Sequence, residues 1–538
     1  MKYKITLMLM FIGCILTAQV TNEGKPVSWE QNNMEPLTAI EMPSFDLEKL
    51  QEEDKANEGR KDIPWRFGHE FTVDYNLNNS GSWHTLADGS KIWRIRFYSE
   101  GAKSMNFLFS DFYMPKGATL YLYNNDRSDL LGAYDSSQNN TERVLGTWLV
   151  KGDDILLEYY EPAEVAGQGK LEVFKLIHGY RTSEDYTKST QNLNESGACN
   201  YDVDCVISDI EQMKEINKKA VAMIVTGGSG FCSGALINNT SNNGTPYFLT
   251  ANHCYSNPSF WAFRFNWISP NPVCASYMGS TNNPNYNQTA SGATLRARRA
   301  ATDFCLVEIN ANLPSTWDLV WAGWDRSDNV PSSTFGIHHP SGDIMKVCRD
   351  YNQPTKQNGG GEYMWQINNW DLGVTEGGSS GSPLFDNNGR IIGQLYAGTA
   401  ACSGLTDNGG SDIYGRFGIS WNNGSDFTNR LKEWLDPNNT NAVTLNYYIP
   451  TNSVEEVTPL ADTFKVYPNP SQGIFAVSVT GSNAVNYQMY NMLGQPVASG
   501  RFSAGDNSLD LSQAADGVYI LQVADDAGKT ANIKLVKE

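Results

Sequence analysis

Three short stretches of this 538-residue chain bring together residue types suited to attack on an acyl carbon. FCSGALINNTSNNGTPYFLTANHC (231–254) reads as two strands joined by an Asn/Gly-rich turn, with His253 at the end of the second. Cys232 and Cys254 fall near the open end of that hairpin, where a crosslink would hold the imidazole in place, as a general base requires. GVTEGGSSGSPLFD (373–386) sets Ser380 in a Gly-rich turn that enters an apolar strand. Glycines there let the backbone turn sharply, and the N–H groups of Gly378 and Ser380 would form an oxyanion hole beside the hydroxyl. Asp303, in ATDFCLVEIN (301–310), precedes an alternating strand. Taken singly, each stretch has a plainer reading: a surface histidine, a flexible Gly/Ser loop, and a turn aspartate bonding its own backbone.

Chain order favours the chemical reading. His253, then Asp303, then Ser380 is the order of the chymotrypsin-type triad, whereas the subtilisin order begins with Asp and the α/β-hydrolase order with Ser. Separations of 50 and 77 residues let one barrel carry His and Asp and a second carry Ser.

The elements that must position these residues are mostly strands. KIWRIRFY (91–98) alternates Trp93, Ile95 and Phe97 with Arg94 and Arg96, and 118–126, 146–162 and 170–180 repeat that texture between Asn/Asp/Gly turns. Residues 65–182 therefore read as a β-sandwich, preceded by a polar, acidic stretch (19–62) in which LEKLQEEDKANEGRKD is a solvated helix or loop. A polar linker (181–197) leads into a strand-rich region, 199–450, whose helical candidates are 208–219 and 426–437. A second linker, 451–463, precedes 75 further residues of strands and turns.

Lys2 and Lys4 followed by an apolar run over 5–18 read as an export signal cleaved after Ala18, with a lipoprotein reading around Cys14 as the alternative. The run is shorter than the ~20 residues of a spanning helix. Of nine cysteines, Cys14 leaves with the signal, and the other eight lie between Cys199 and Cys402. An even number in an exported chain implies a disulfide framework, and a zinc site is disfavoured because no C-x-x-C pair exists. The net charge of −19 repels phosphate backbones, which argues against a nucleic-acid partner.

LTANHC, TDFCLVEIN, WAGWDRSD (321–328), IHHP (337–340), VTEGGSSGSPLFD, DIYGRFGISW (412–421) and RLKEWLDP (430–437) together resemble the lysyl endopeptidase branch of the trypsin-like serine proteases. The resemblance runs in order over 197–437 and implies a mainly β, double β-barrel domain. In it His253 is the general base, Asp303 orients it and Ser380 attacks the scissile carbonyl. The family's disulfides map onto Cys199–Cys402, Cys205–Cys274 and Cys232–Cys254. Cys305 and Cys348 match no family cysteine and are paired by elimination as a fourth bridge. Asp412 takes the motif position at the base of the primary specificity pocket, where a carboxylate attracts a lysine or arginine cation by ~4 kcal/mol at 4 Å and an effective dielectric of ~20. Tyr396, also assigned to substrate binding, stands where lysine-specific members carry His, and their partnering Trp has no match around 350–360. Lysine is thus expected, with arginine left open. Ser379 stands where pancreatic-type relatives carry the Asp that meets a freed N-terminus, so activation is expected from removal of a prosegment.

VYPNPSQG (466–473), MYNMLGQPV (489–497), GVYILQV (517–523) and the closing KLVKE resemble a type IX secretion sorting domain. The expected organisation is a signal (1–18), a β-rich prosegment (19–190), a protease domain (191–450), the linker and a small β-sandwich sorting domain (464–538). Self-cleavage after Lys188 is the expected processing step; a retained substrate-binding sandwich is the competing role for 19–190. The expected molecule is a secreted or cell-surface endopeptidase, exported by way of the periplasm, that cleaves after basic residues through an acyl-enzyme. It would act as a single copy, with protein or peptide substrates and the secretion machinery as partners and no metal or organic cofactor. A non-catalytic adhesin on the same barrels is the alternative from another class. An acid-preferring protease is opposed by like-charge repulsion at Asp412.

Overall fold

The computed structural model describes residues 24–181, 196–280, 288–359, 361–450, 464–479, 485–491, 495–524 and 530–538. The expected signal, the 451–463 linker and Lys188 lie outside the described residues. Contacts divide the chain into two units, 1–450 and 451–538.

Alternating burial along Lys91–Tyr98 turns Ile95 and Phe97 inward and leaves Arg94 and Arg96 half-buried. This strand joins Ile40–Glu41, Ser82–Thr85, Asp154–Glu161, Thr119–Asn124 and Leu130–Tyr134 in one sheet. Ser104–Tyr113, Lys170–Gly179, Gly68–Asn76, Leu145–Gly146 and Val150–Lys151 form the other. Trp93, Phe97, Phe107, Phe109 and Leu176 share the core of this sandwich.

Two further sheets, the two barrels of the fold, follow. The first runs Thr289–Ser291, Ala262–Phe265, Val221–Thr226, Gly230–Leu236, Tyr247–Ala251, Phe304–Ile309, Ala293–Arg299. The second runs Tyr201–Asp202, Lys346–Asp350, Thr334–His338, Pro383–Asp386, Arg390–Gly398, Asp412–Arg416, Glu362–Ile367, Thr355–Gly359. Cys199–Cys402, Cys205–Cys274 and Cys232–Cys254 are disulfide-bonded.

The sandwich and the first barrel share a hydrophobic core. Phe231 stacks on Phe67 at 4.3 Å, and the Arg264 guanidinium lies 4.1 Å from the Trp148 ring centre. Trp65–Arg66 pairs antiparallel with Gly230–Phe231, so the N-terminal region adds a strand to the first barrel.

The helices are shorter than expected. Residues 208–219 contribute Glu211–Asn217 and a tight turn, Lys218–Ala220. Within 426–437 only Lys432–Leu435 is helical, because the Asp426 carboxylate accepts from Thr428 N and Asn429 Oδ1 accepts from Asp426 N, local bonds that compete with a helix. Phe417–Asn422 is a helix that the pattern did not indicate. Among the described residues no helix is long and apolar enough to cross a membrane.

The expected Cys305–Cys348 bridge is not formed. Cys305 sits on Phe304–Ile309 of the first barrel and Cys348 on Lys346–Asp350 of the second, each a free thiol buried in its own core. A disulfide needs Cα atoms within ~7 Å, and pairing by elimination ignored that requirement. Burial raises both thiol pKa values, which leaves them protonated and unreactive. Alkylation under denaturing, non-reducing conditions should therefore modify two cysteines between 196 and 450, read by mass spectrometry. Modification of neither would restore the fourth bridge.

In the C-terminal unit, Phe464–Tyr467, Ile474–Val479 and Gly505–Asp510 form one sheet, and Pro496–Phe502, Val485–Asn491, Gly517–Ala524 and Thr530–Lys537 another. Phe475, Val477, Met489, Leu521 and Leu535 fill the core of this small β-sandwich.

Candidate active site

His253 lies in the tight turn Asn252–Cys254 that ends the strand Tyr247–Ala251. Asp303 meets it from the start of the neighbouring strand, in a left-handed conformation (φ 53°) that aspartate tolerates better than most residues. One carboxylate oxygen accepts from His253 N at 2.9 Å and the other from His253 Nδ1 at 2.8 Å, while Asn252 N donates to the Asp303 carbonyl at 2.7 Å. With the proton on Nδ1, Nε2 is left as an acceptor. It is buried and has no hydrogen-bond partner among the described residues. Burial raises the pKa of Asp303, and the hydrogen bond from His253 opposes that rise.

The turn carrying Ser380 packs directly on this unit. Ser233 N donates to Ser380 O at 2.8 Å, and Cys254 Sγ lies 3.8 Å from the same oxygen. A Cβ at Gly381 would stand 2.2 Å from Thr250 Oγ1 and 2.6 Å from Ala251 N, so only glycine lets the turn approach the strand that delivers His253. Gly378 is also left-handed, with its carbonyl held by Ser233 Oγ at 3.0 Å. Ser379 bonds His338 Nδ1 at 2.8 Å and accepts from Glu376 N at 3.1 Å. Its hydroxyl thus serves the turn itself, beside a histidine whose pKa burial lowers well below its ordinary value.

Cys232, His253 and Cys254 place their ligand atoms within 4.8 Å of one another. The two sulfurs are joined in a disulfide, so neither offers the thiolate a metal would need.

The chain's own N-terminal region packs against Ser380, and the expected hydrogen bond between the Ser380 hydroxyl and His253 Nε2 is not formed. Ser380 Oγ donates to the carbonyl oxygen of Lys61 at 2.7 Å. The Lys61 ammonium meets Asp412 Oδ1 at 2.6 Å and the Ala400 carbonyl at 2.7 Å. Asp412 Oδ2 accepts from Trp370 Nε1 at 2.7 Å and Thr375 Oγ1 at 2.6 Å. Lys61 is 1% exposed and Asp412 0%, so this cation and anion are wholly withdrawn from water.

Residues 47–62 are thus not the uniformly solvated stretch expected. Leu47–Asn57 is a largely exposed helix, but Lys61, four residues beyond it, is buried. Tyr396 lies beside the imidazole, with ring centres 6.3 Å apart, and is absent from the bonds around the Asp412 carboxylate. Trp370, Thr375, Ala400 and Lys61 were missed. Thr375 lay inside the VTEGG motif without a role, and Trp370 falls ten residues past the window in which a tryptophan was sought.

The Asp412 carboxylate is buried with Lys61, whose carbonyl oxygen meets Ser380 Oγ, and Asp303 holds the His253 imidazole. Residues 193–415 match the lysyl endopeptidase C-terminal domain. Residues 465–538 match the secretion system C-terminal sorting domain, which marks the chain for export to the cell surface or the exterior. A lysyl endopeptidase from Pseudomonas aeruginosa strain PAO1 is 27% identical over 271 residues, covering 48% of this chain and 58% of that protein. The chain thus spans less than two thirds of that relative. Among solved structures, an inactive mutant of Rv3671c from M. tuberculosis H37Rv is 14% identical, covering 38% of this chain and 84% of that one, with a TM-score of 0.25. The HtrA-type protease AlgW with a tripeptide is 16% identical, covering 39% and 60%, with a TM-score of 0.27.

Proposed function

We propose that this protein is a secreted serine endopeptidase that hydrolyses peptide bonds after lysine. The observation that carries this reading is the substrate-like fit of Lys61: carbonyl at Ser380, ammonium at Asp412. His253 Nε2 takes the proton as Ser380 Oγ attacks the carbonyl carbon, and Asp303 stabilises the imidazolium. The N–H groups of Gly378 and Ser380 receive the oxyanion. His253 then protonates the leaving amine, and water, activated by the same imidazole, releases the acid.

The pocket favours lysine over arginine. Trp370 and Thr375 occupy one oxygen of Asp412, which leaves a single oxygen and the Ala400 carbonyl for the substrate. A compact ammonium suits two separate acceptors, whereas a guanidinium gains most from both oxygens of one carboxylate. Under this reading residues 19–190 form a prosegment, 191–450 the protease and 464–538 the sorting domain, with 1–18 removed on export.

Paired peptides that differ only in Lys, Arg or Glu before the scissile bond test the proposal. Cleavage in the order Lys, Arg, Glu is expected, with Ser380 labelled by an organofluorophosphate. Absence of both labelling and cleavage would favour an adhesin, and preference for Glu would remove Asp412 from its assigned role.

A further inference from the structure

Residues 58–66 place a lysine against Ser380 and Asp412 as a substrate lysine would be placed, yet they belong to the same chain. Lys61 fills the pocket, and its carbonyl oxygen lies 2.7 Å from Ser380 Oγ. Gly377 meets the segment on both sides of Lys61: a Cβ there would stand 3.5 Å from the carbonyl oxygens of Glu58 and Arg60 and 2.8 Å from Trp65 Cδ1. On the following side, Trp65–Arg66 joins the edge of Gly230–Phe231, and Phe67 N donates to Ser229 O at 2.8 Å. Main-chain pairing of this kind recognises a peptide irrespective of its sequence, while the pocket selects one side chain.

Three features separate this segment from a peptide that would be cut and released. Arg60 grips Asp62 with two parallel bonds, Nε to Oδ1 at 2.9 Å and Nη2 to Oδ2 at 2.8 Å. That fork ties together the residues on either side of Lys61. Both groups are substantially exposed, so the pair adds little stability; its consequence is geometric. Secondly, the Arg181 guanidinium lies 3.8 Å from the Trp65 ring centre and donates to Arg66 O at 2.8 Å, and Arg66 bonds Asp54 at 2.8 Å, so the end of the sandwich and the helix Leu47–Asn57 together brace the segment. Thirdly, Phe67 and Trp65 sit in the core shared with Phe231. A cut after Lys61 would leave the new Asp62 amine anchored beside the acyl-enzyme, at the high effective concentration of an intramolecular group.

Resting on the function proposed above, we infer that residues 58–66 are a built-in, substrate-like inhibitor of this protease, with Lys61–Asp62 as its reactive bond. Acylation forms the bond from Ser380 Oγ to the Lys61 carbonyl carbon and breaks the bond to Asp62 N. The proton passes from Ser380 through His253 Nε2 to that nitrogen. Because the Asp62 amine stays in place, the reverse attack restores the peptide and the hydroxyl, and the cleft remains occupied. Processing to an open enzyme then requires loss of the sandwich as a whole, through cuts elsewhere in the chain.

The test uses the full chain, freshly purified with residues 24–181 still attached, and a chromogenic lysyl peptide. Lys61→Ala and the volume-preserving Lys61→Met remove the ammonium. Each is expected to hydrolyse the peptide at least tenfold faster than the unaltered chain and to label faster with a small organofluorophosphate, and Lys61→Ala combined with Ser380→Ala should abolish both gains. Circular dichroism confirms that at least one of the two variants folds. If both folded variants match the unaltered chain in both readouts, the inference falls, while labelling of Ser380 leaves the protease reading standing. If no form cleaves or labels, the protease reading falls and takes the inference with it.

Discussion

Ser380→Ala is expected to lower kcat on a lysyl peptide by about 10⁶, with little change in KM. The hydroxyl is the nucleophile under the proposed mechanism, and water must replace it without a fixed position. Binding should survive, because the pocket contacts of Lys61 run through Asp412 and Ala400, which the substitution does not touch. The full chain should also remain folded: the loss is one hydrogen bond to the Lys61 carbonyl, of order 1 kcal/mol. His253→Ala should cost about as much as Ser380→Ala, and combining them should add little, since each alone already disables the unit. Asp303→Asn is the more diagnostic change. An amide can donate to Nδ1, which puts the imidazole proton on Nε2 and leaves no acceptor for the serine proton. A fall of about 10⁴ is expected. Independent, multiplicative losses for the Ser and His changes would mean that the two residues do not act together.

The residues of this unit were legible because each sits where a local pattern changes. His253 ends a strand, Asp303 begins one, and Ser380 lies in a Gly-rich turn between strands. Gly381 and Gly378 are glycines for steric reasons that a sequence pattern can signal without the partner being known: one approaches Thr250 and the other His339 and Ser341. Part of the sandwich was legible from alternation, since a half-buried strand writes its two faces into consecutive residues, whereas Ser104–Tyr113, buried along most of its length, carries no such pattern.

What stayed hidden depends on distant partners. Lys61 lies in a run of charges that reads as solvated, and it is buried only because Asp412, 351 residues later, neutralises it. Nothing local distinguishes it from Lys49 or Lys55. The pairing of Cys305 with Cys348 failed for the same kind of reason. Counting cysteines gives parity, whereas bonding requires proximity, and these two face different cores. Trp370 escaped because the family pattern pointed to 350–360, while the buried carboxylate of Asp412 takes its donor from a residue between two strands further on. The core shared by sandwich and barrel was equally unreadable: Phe231 stands in a strand buried along its whole length, which gives no sign of which neighbour covers each face.

Asp412→Asn should produce two effects of the same origin, in two forms of the protein. In the processed enzyme, kcat/KM for lysyl peptides should fall about 10³-fold, the equivalent of ~4 kcal/mol for a unit charge pair at 4 Å and an effective dielectric of ~20. Glutamine-containing peptides, which carry no charge, should be cleaved no worse than before. Thr375→Val supplies a graded control. It frees one lone pair of Asp412 Oδ2 without removing the charge, so lysine cleavage should fall far less, and the ratio of arginine to lysine cleavage should rise. In the full chain the partner is Lys61, and the pair is buried on both sides. Removing the carboxylate leaves an ammonium in a site closed to water, which costs about 3–5 kcal/mol when one member of such a pair is lost. The unfolding midpoint in denaturant should drop accordingly. Lys61→Ala alone leaves the buried carboxylate short of its cation but still bonded to Trp370 and Thr375, and should cost less. The double variant should be more stable than Asp412→Asn alone, because it removes the stranded charge. A simple sum of the two single losses would mean that Lys61 and Asp412 do not interact, and the pocket would then have to find its lysine by other means.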